Sequence, residues 1–340
     1  MAGNASFSLN DTAIVSVASV HAPDVATSAS FDAQLAPTYE RLGMRGGLLE
    51  SLAGISERRW WPEGFSFTEA AAQAGDKALN EAGIDRSRVG LLIDTSVCRS
   101  RLEPSSAVTV HNMLGLSSSC VNFDLANACL GFVNAMHIAG LMIDAGQIDY
   151  ALVVDGEGSR EIQQTTLDRL SLVDAGVDDL FAEFATLTLG SGAAAMVLGR
   201  ASQNPGSHLV VRGLTRSDTS HHELCVGDLN QMRTDTKALL DAGLDLVQVA
   251  WETEADEFGW SDMDRYILHQ VSAVHTSSLC ERLGIDTKKV PVTFPTLGNI
   301  GPASVPLTLA DEEPHLQSGD RVLCMGIGSG LNTSFIEVLW

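Results

Sequence analysis

The feature that most constrains this chain is that it echoes itself. Residues 77–89 read KALNEAGIDRSRV and residues 278–290 read SLCERLGIDTKKV. Both stretches end a helix at Gly-Ile-Asp, carry basic residues next, and then reach a Val that opens an extended segment. Gly83 and Gly284 suit the left-handed position just past a helix C-terminus. A second echo follows in the same order. Gly190-Ser191-Gly192 precedes AAAMVLG, and Gly328-Ser329-Gly330 precedes LNTSFIEVL. Each half therefore finishes as a glycine turn followed by an apolar strand. The two echoes together point to two related α/β halves, residues 1–205 and 206–340, meeting near Asn204-Pro205-Gly206.

The 340 residues are enough to bury a substantial core, and 31 glycines between short apolar runs suit an α/β chain with many tight junctions. Strand-like runs are Val89–Ile93, Val121–Leu125, Ala151–Val154, Ala194–Leu198, Tyr266–Leu268 and Val322–Met325. Their continuous apolar character suits strands covered on both faces. Ser66-Phe67-Thr68-Glu69 reads as a capping box ahead of an Ala-rich helix with apolar spacing at Ala70, Ala74, Ala78 and Ala82. Residues 156–187 hold no clear strand and several acids, and read as a helical or loop insertion.

The formal net charge of -22 argues against nucleic acid or an anionic membrane as partner. It leaves room for an anionic small ligand at a local basic cluster, because fields are screened over roughly 8 Å at physiological salt. Arg58 with Arg59, and Arg212 with Arg216, are the candidates for holding such phosphates. The six cysteines show neither CxxC nor zinc-site spacing. Met1 to Asp11 has no signal-peptide character, and no apolar run approaches the roughly 20 residues of a bilayer span. Reduced cysteines in the cytoplasm are the simplest expectation.

Four residues could carry chemistry. Cys129 follows the strand VNFDL and a short turn, and opens a helix-like stretch in which Gly131, Ala135 and Ala139 would let the helix lie deep between sheets. A helix N-terminus favours thiolate over thiol, and the thiolate is the nucleophile. A structural core cysteine is the alternative. His269 ends the run Tyr266–Leu268, at the strand end where open α/β sheets place ligands. A hydrogen-bonded core histidine is its plainer reading. Asn299 lies between Gly298 and Gly301, where its amide could donate to a developing oxyanion or serve only a turn. Glu103 precedes Pro104 and could be a cap-region acid or a base that removes a proton α to a thioester carbonyl.

Taken together, these residues carry a resemblance. Asn127-Ala128-Cys129-Leu130-Gly131-Phe132, His269-Gln270, Gly298-Asn299 and the closing glycine-rich turn resemble the thiolase superfamily over essentially the whole length, and within it the ketoacyl-ACP synthase III group. Leu102-Glu103-Pro104-Ser105, Val121-Asn122-Phe123-Asp124, Leu297-Gly298-Asn299-Ile300-Gly301 and Gly326-Ile327-Gly328-Ser329-Gly330 favour the OleA branch, the acyl-CoA-condensing enzymes of long-chain olefin biosynthesis. The chain departs from the ketoacyl-ACP synthase III pattern after Asn299, with Ile-Gly-Pro-Ala where that group typically has Thr-Ser-Ala-Ala.

The resemblance implies a five-layer α/β/α/β/α fold built by duplication. It implies non-decarboxylative Claisen condensation of two fatty acyl-CoAs through an acyl-Cys129, with no metal or organic prosthetic group. Glu103 would be the base, offered across a homodimer interface. His269 and Asn299 would donate to the second substrate's thioester oxygen. Backbone amides at Cys129 and near Gly328-Ser329 would hold the oxyanion at the acyl-cysteine. Downstream olefin-pathway enzymes would be partners. Three alternatives remain open. A ketoacyl-ACP synthase III would need no base, a degradative thiolase would use Cys324 as acid/base, and a non-catalytic subunit would lack the nucleophile. Phe132, Met136, Leu180 and Phe181 are candidate acyl-pocket liners that core packing explains equally well.

Overall fold

The computed structural model describes residues 6–228 and 230–340. The first five residues, part of the N-terminus read above for a leader, lie outside this range. Ten strands form the main sheet. They are β1 (Ser6–Ser8), β2 (Thr12–His21), β3 (Val89–Asp94), β4 (Val121–Asp124), β5 (Tyr150–Glu157), β6 (Gly192–Arg200), β7 (His208–Ser217), β8 (Arg265–Leu268), β9 (Arg321–Gly328) and β10 (Asn332–Leu339). The order is β8-β9-β10-β7-β2-β6-β5-β3-β4, with β1 added beside β7. The principal helices are α1 (Ser28–Leu42), α2 (Phe67–Ala82), α3 (Ser106–Met113), α4 (Gly131–Asp144), α5 (Arg160–Leu170), α6 (Val177–Leu187), α7 (Thr236–Phe258), α8 (Ala273–Leu283) and α9 (Ser304–Glu312). Among the described residues, no helix is long and apolar enough to cross a membrane.

The layering follows from the two-residue period of the strands. Leu91, Ile93, Ala151 and Val153 point to one face with Phe132, Met136 and Ala139 of α4, while Leu92, Leu152 and Val154 point to the other with the alanines of α2. On the second set of strands, Ile267, Val322, Cys324 and Ile336 join the α4 core, and Leu268, Leu323, Met325 and Phe335 pack with α7 and α8. Three cores thus alternate with two sheet layers, giving the five layers expected. The two layers are hydrogen-bonded where β2 meets β7, at Ala13↔Leu209 and Ile14↔His208. Helix α4 lies in the middle and is buried at Phe132, Val133, Ala135, Met136, Ala139 and Ile143, around most of its circumference. All eight residues of β5 are buried, as strands covered on both faces must be.

Outward from the β2/β7 junction, one side runs β2-β6-β5-β3 and the other β7-β10-β9-β8, each starting with its first strand, then its last, then stepping back to its second, and only the first side adds a further edge strand, β4. The turn between β6 and β7 spans the Asn204-Pro205-Gly206 junction. The second echo joins β6 to β10, which hold equivalent places. The first echo does not. Helix α2 precedes the second strand of its side, whereas α8 follows it. Both helices end alike because both close on a left-handed glycine, Gly83 at φ 64 and Gly284 at φ 67, followed by an Asp that caps a short 3-10 turn. That likeness is local chemistry common to helix ends.

Other local expectations shift as well. Ser66 holds the N-cap position of α2, but its hydroxyl meets Thr68 Oγ1 at 2.8 Å instead of the helix amides, so the capping box does not close. The acids and amides of residues 156–187 sort into the end of β5 and two helices, α5 and α6, packed on α1. Helix α3 is capped from β4 by Asp124, which accepts from the amides of Ser106 and Ala107 at 3.0 and 2.8 Å, leaving no capping role for Glu103.

Gly190 shows how tightly the halves engage. A methyl on it would stand 1.8 Å from the Leu297 carbonyl oxygen, and its own amide donates to Asn299 at 2.8 Å. Neither partner is a flexible side-chain end, so Gly190→Ala should lower stability by about 3 kcal/mol or more, measured by urea denaturation, well above the typical ~1 kcal/mol of a point substitution.

Candidate active site

The strand β4 delivers the chain to α4 through a turn that holds Cys129. Ala128 adopts φ 45, a left-handed conformation rare for a residue with a side chain, directly before the cysteine. The Asn127 side chain fixes this turn from two sides, donating to Asn134 Oδ1 at 2.6 Å and accepting from Asn332 Nδ2 at 3.4 Å. Helix α4 starts at Gly131, two residues after the cysteine, and any Cβ there would lie 3.0 Å from the carbonyls of Thr95 and Leu125.

Strand β9 brings the other elements to this turn. Gly328 lies against it so closely that a Cβ would be 3.3–3.4 Å from Asn127 O, Leu130 N and Cys129 N. Three residues earlier, the Met325 carbonyl accepts the amide of His269 at 2.9 Å. His269 stands just past β8 and is 3% exposed. Asn299 is anchored from the opposite side: its amide donates to Thr188 O at 2.9 Å, and its carbonyl accepts from Gly190. Its side-chain Oδ1 accepts from the Gly301 amide at 3.0 Å, which leaves the NH2 end unengaged among the described residues. Gly301 in turn packs against Glu157, the last residue of β5. Cys129, His269 and Asn299 are thus tied to one region by β9 and the β5–β6 end of the sheet.

Electrostatically this region differs from the sequence expectation. The Cys129 thiol is pushed up to about 12, first by burial and then by Glu157, Cys225 and Asp155, while its own backbone amide pulls weakly the other way. Helix-terminus stabilisation is typically 0.3–1 kcal/mol, and the helix begins two residues too late to outweigh desolvation. Cys129 therefore rests as a thiol. His269 is lowered to about 3, by burial first and then by the nearby His275, so it is a neutral imidazole at any physiological pH.

Sequence reading missed the acids. Asp94, Asp155 and Glu157 are all buried at the ends of β3 and β5. Glu157 accepts from the amides of Val97 and Cys98 at 2.5 and 3.2 Å, and Asp155 accepts from Thr95 Oγ1 at 2.5 Å. Burial raises Asp94 to about 6 and Glu157 to about 7, and carries Asp155 well above the carboxylate range. Their signal was acids inside otherwise apolar strand runs, Leu-Leu-Ile-Asp and Val-Val-Asp-Gly-Glu.

Glu103 is not part of the buried group in the single chain. It sits exposed in the loop before α3, with no hydrogen-bond or ion-pair partner among the described residues. The proposed phosphate ligands are corrected in part. Arg58 is fully buried, donates to Ala26 O, Ser28 Oγ and Leu187 O, and lies over the Phe31 ring, so it cannot face a phosphate in solvent. Arg212 and Arg216 lie beside the buried Glu337 and Glu254, and Glu337 is shared with Arg321. Arg59 pairs with Glu57. Cys324 is fully buried in the α4 core, raised to about 12 by burial alone, a setting of plain packing. Phe132, Met136 and Leu180 are core residues as well, whereas Phe181 is 44% exposed.

Residues 123–214 match the 3-oxoacyl-[acyl-carrier-protein] synthase III family, and residues 253–340 match its C-terminal family. The chain is 44% identical over 334 residues to an acyl-CoA:acyl-CoA alkyltransferase of Xanthomonas campestris, covering 97% of this chain and 99% of the relative. It is 35% identical over 335 residues to one of Shewanella oneidensis, covering 94% and 96%. Among solved structures it resembles a cysteine-to-serine variant of Xanthomonas campestris OleA with bound lauric acid and lauroyl-CoA, at TM-score 0.96 and 43% identity over 98% of this chain and 100% of that one.

The buried acids give a pH signature. Asp94 and Glu157 have folded values of about 6 and about 7 against ordinary values of 3.8 and 4.5, so folding favours their protonated forms. Their stabilising share is full below the ordinary values and is lost as pH rises through the folded ones. The melting temperature should fall on this account between roughly pH 4 and pH 7. Glu157→Gln should make that slope shallower, measured by differential scanning fluorimetry across the range.

Proposed function

This chain belongs to the thiolase-like 3-oxoacyl-[acyl-carrier-protein] synthase III family that includes the acyl-CoA:acyl-CoA alkyltransferases, and from that membership we propose that it joins two long-chain fatty acyl-CoAs by non-decarboxylative Claisen condensation. The observation that carries this reading is the convergence on β9: Gly328 packs on the Cys129 turn while Met325 holds His269, in a chain alike over its full length to alkyltransferases.

The Cys129 sulfur attacks the carbonyl of the first acyl-CoA, its proton ends on the departing CoA sulfur, and CoA leaves as the thioester to cysteine forms. Backbone amides at Cys129 and beside Gly328-Ser329 stabilise the oxyanion of that step. A second acyl-CoA then loses an α-proton, and its carbanion attacks the acyl-cysteine carbonyl. The carbon–carbon bond forms as the sulfur leaves, giving a 2-alkyl-3-oxoacyl product. His269 and the Asn299 NH2 donate to the second thioester oxygen as it becomes enolate-like. Because burial keeps His269 neutral, it acts as a neutral hydrogen-bond donor and not as a cation. Losing one such donor typically costs about 10²–10³ in rate.

The α-proton goes to Glu103 of the partner subunit in a homodimer. Supporting this are exposed apolar side chains on the edge strand β4, on α3 and in the Glu103 loop: Val97, Leu102, Val108, Met113 and Val121. Exposed apolar groups gathered at a sheet edge suit coverage by a second chain. The six cysteines are all unpaired, which suits a reducing cytoplasm. On this reading the enzyme takes the first step of long-chain olefin formation, with enzymes that consume the 2-alkyl-3-oxoacyl product as its functional partners.

The test is product mass spectrometry with a mixture of two acyl-CoAs. Wild type should release CoA and yield crossed condensation products. Cys129→Ala should release no CoA. Glu103→Ala should release one CoA per site and form no product. A Glu103→Ala enzyme that condenses acyl-CoA with malonyl-ACP at the wild-type rate would instead mark a decarboxylating synthase.

A further inference from the structure

A second histidine, the half-buried His275, has no part in the reaction just described, yet it shares a cavity with His269. This cavity, of about 10 Å³, lies between α7, α8 and the sheet. That is the room taken by one water. Its walls are apolar, with Val247, Leu279 and Phe335 among them, apart from His269, His275 and Thr333. The Nδ1 atoms of both histidines are buried and lack any hydrogen-bond partner. Two orphaned nitrogens beside one water-sized space are the kind of arrangement buried water satisfies, since such a water commonly makes about three hydrogen bonds.

We propose that His275 is a positioning residue, acting through one water in this cavity to hold His269 in the tautomer that carries its proton on Nε2. This rests on the reading of His269 as donor to the second substrate's oxygen.

Proton counting supports the arrangement. Thr333 Oγ1 gives its hydrogen to Gly326 O at 2.8 Å, so toward the cavity it can only accept. A water there gives one hydrogen to Thr333 and has one left. It can therefore donate to one imidazole and must accept from the other. Satisfying all three groups at once puts the two histidines in opposite states at Nδ1. With His275 donating through Nδ1–H, His269 Nδ1 accepts, and the proton of His269 stands on Nε2, available to the substrate. The ring of His275 sits in the first turn of α8, whose start is pinned by its amide donating to Ser272 Oγ at 3.2 Å. Both rings are neutral, lowered by burial to about 3 and about 4, so the choice between tautomers is the only protonation choice open to them. Without the relay, His269 would turn a lone pair toward the enolate in part of the population.

The experiment uses the full-length enzyme, its His275→Phe and His275→Gln variants, and two readouts. The first is the nitrogen spectrum of isotope-labelled histidine, with His269 assigned from a His269→Asn sample. Wild type should show an acceptor-type Nδ1 and a protonated Nε2 on His269, and His275→Phe should show a tautomer mixture. The second separates the half-reactions. Release of the first CoA, which does not use His269 as donor to an enolate, should be unchanged in His275→Phe. Condensation should slow by roughly tenfold to a hundredfold, the range seen when outer hydrogen-bond partners of metal-bound histidines are removed. His275→Gln, whose amide can still donate to the water, should recover much of the loss. The proposal is overturned if wild-type His269 carries its proton on Nδ1, if His275→Phe condenses at the wild-type rate, or if both half-reactions slow equally. If wild-type enzyme releases no CoA, the function proposed above fails, and the nitrogen spectra alone decide the tautomer.

Discussion

The contact between β9 and the Cys129 turn is what the rest of the site depends on. Gly326 and Gly328 let the strand press on Leu130 and on the backbone of Cys129, where a methyl at either would come within 2.7–3.3 Å of its neighbours. The same strand hydrogen-bonds β8 and so fixes His269 through Met325. The chain half that carries Cys129 is held in this way against the half that carries His269. Helix α4 can emerge from this contact into the central layer because Gly131 and the buried alanines present little bulk.

Burial then sets the electrostatics. Every titratable group of the resting site has its charged form disfavoured by burial: a thiol, two imidazoles and acids raised above the usual carboxylate range. Desolvation dominates each of them, because a charged form surrounded by protein loses more hydration than one helix end or a few amides return. Catalysis in such a site relies on donors fixed in place before charge develops on the substrate. The orientation of neutral donors, including tautomers and amide ends, then matters more than their acidity. The Asn299 side chain illustrates this, since Gly301 takes its oxygen and leaves its NH2 as the donor.

Legibility in the sequence followed the physics of each signal. Apolar runs marked six strands and all six are present, β5 and β9 extending past their expected ends, but β4 is an exposed edge strand and not one covered on both faces. The two strands at the centre of the sheet, β2 and β7, were not identified. Their polar residues alternate with apolar ones, and β7 contains Gly213, so neither forms a continuous run. The helix-end echo pointed to duplication but joined α2 to α8, because any helix closed by Gly-Ile-Asp looks alike whatever its place in the sheet. Arg58 looked like a surface cation, and only the packing of Phe31 and the Leu187 carbonyl around it shows otherwise.

By itself the sequence determined the family and the placing of its candidate residues along the chain. The spacing of Cys129, His269, Asn299 and Glu103, each in its glycine- or proline-marked context, is a covalent property of the chain, and so is the alternation of apolar strand and glycine turn. Only tertiary structure decided which of these groups are charged, which face one another, and which stand apart. Protonation depends on burial by residues far away in sequence. Asp155 and Glu157 act on the cysteine because β3, β4 and β5 end side by side. His275 meets His269 because α8 folds back over β8. Such proximities are products of packing three cores around two sheet layers, and no local pattern of residues encodes them.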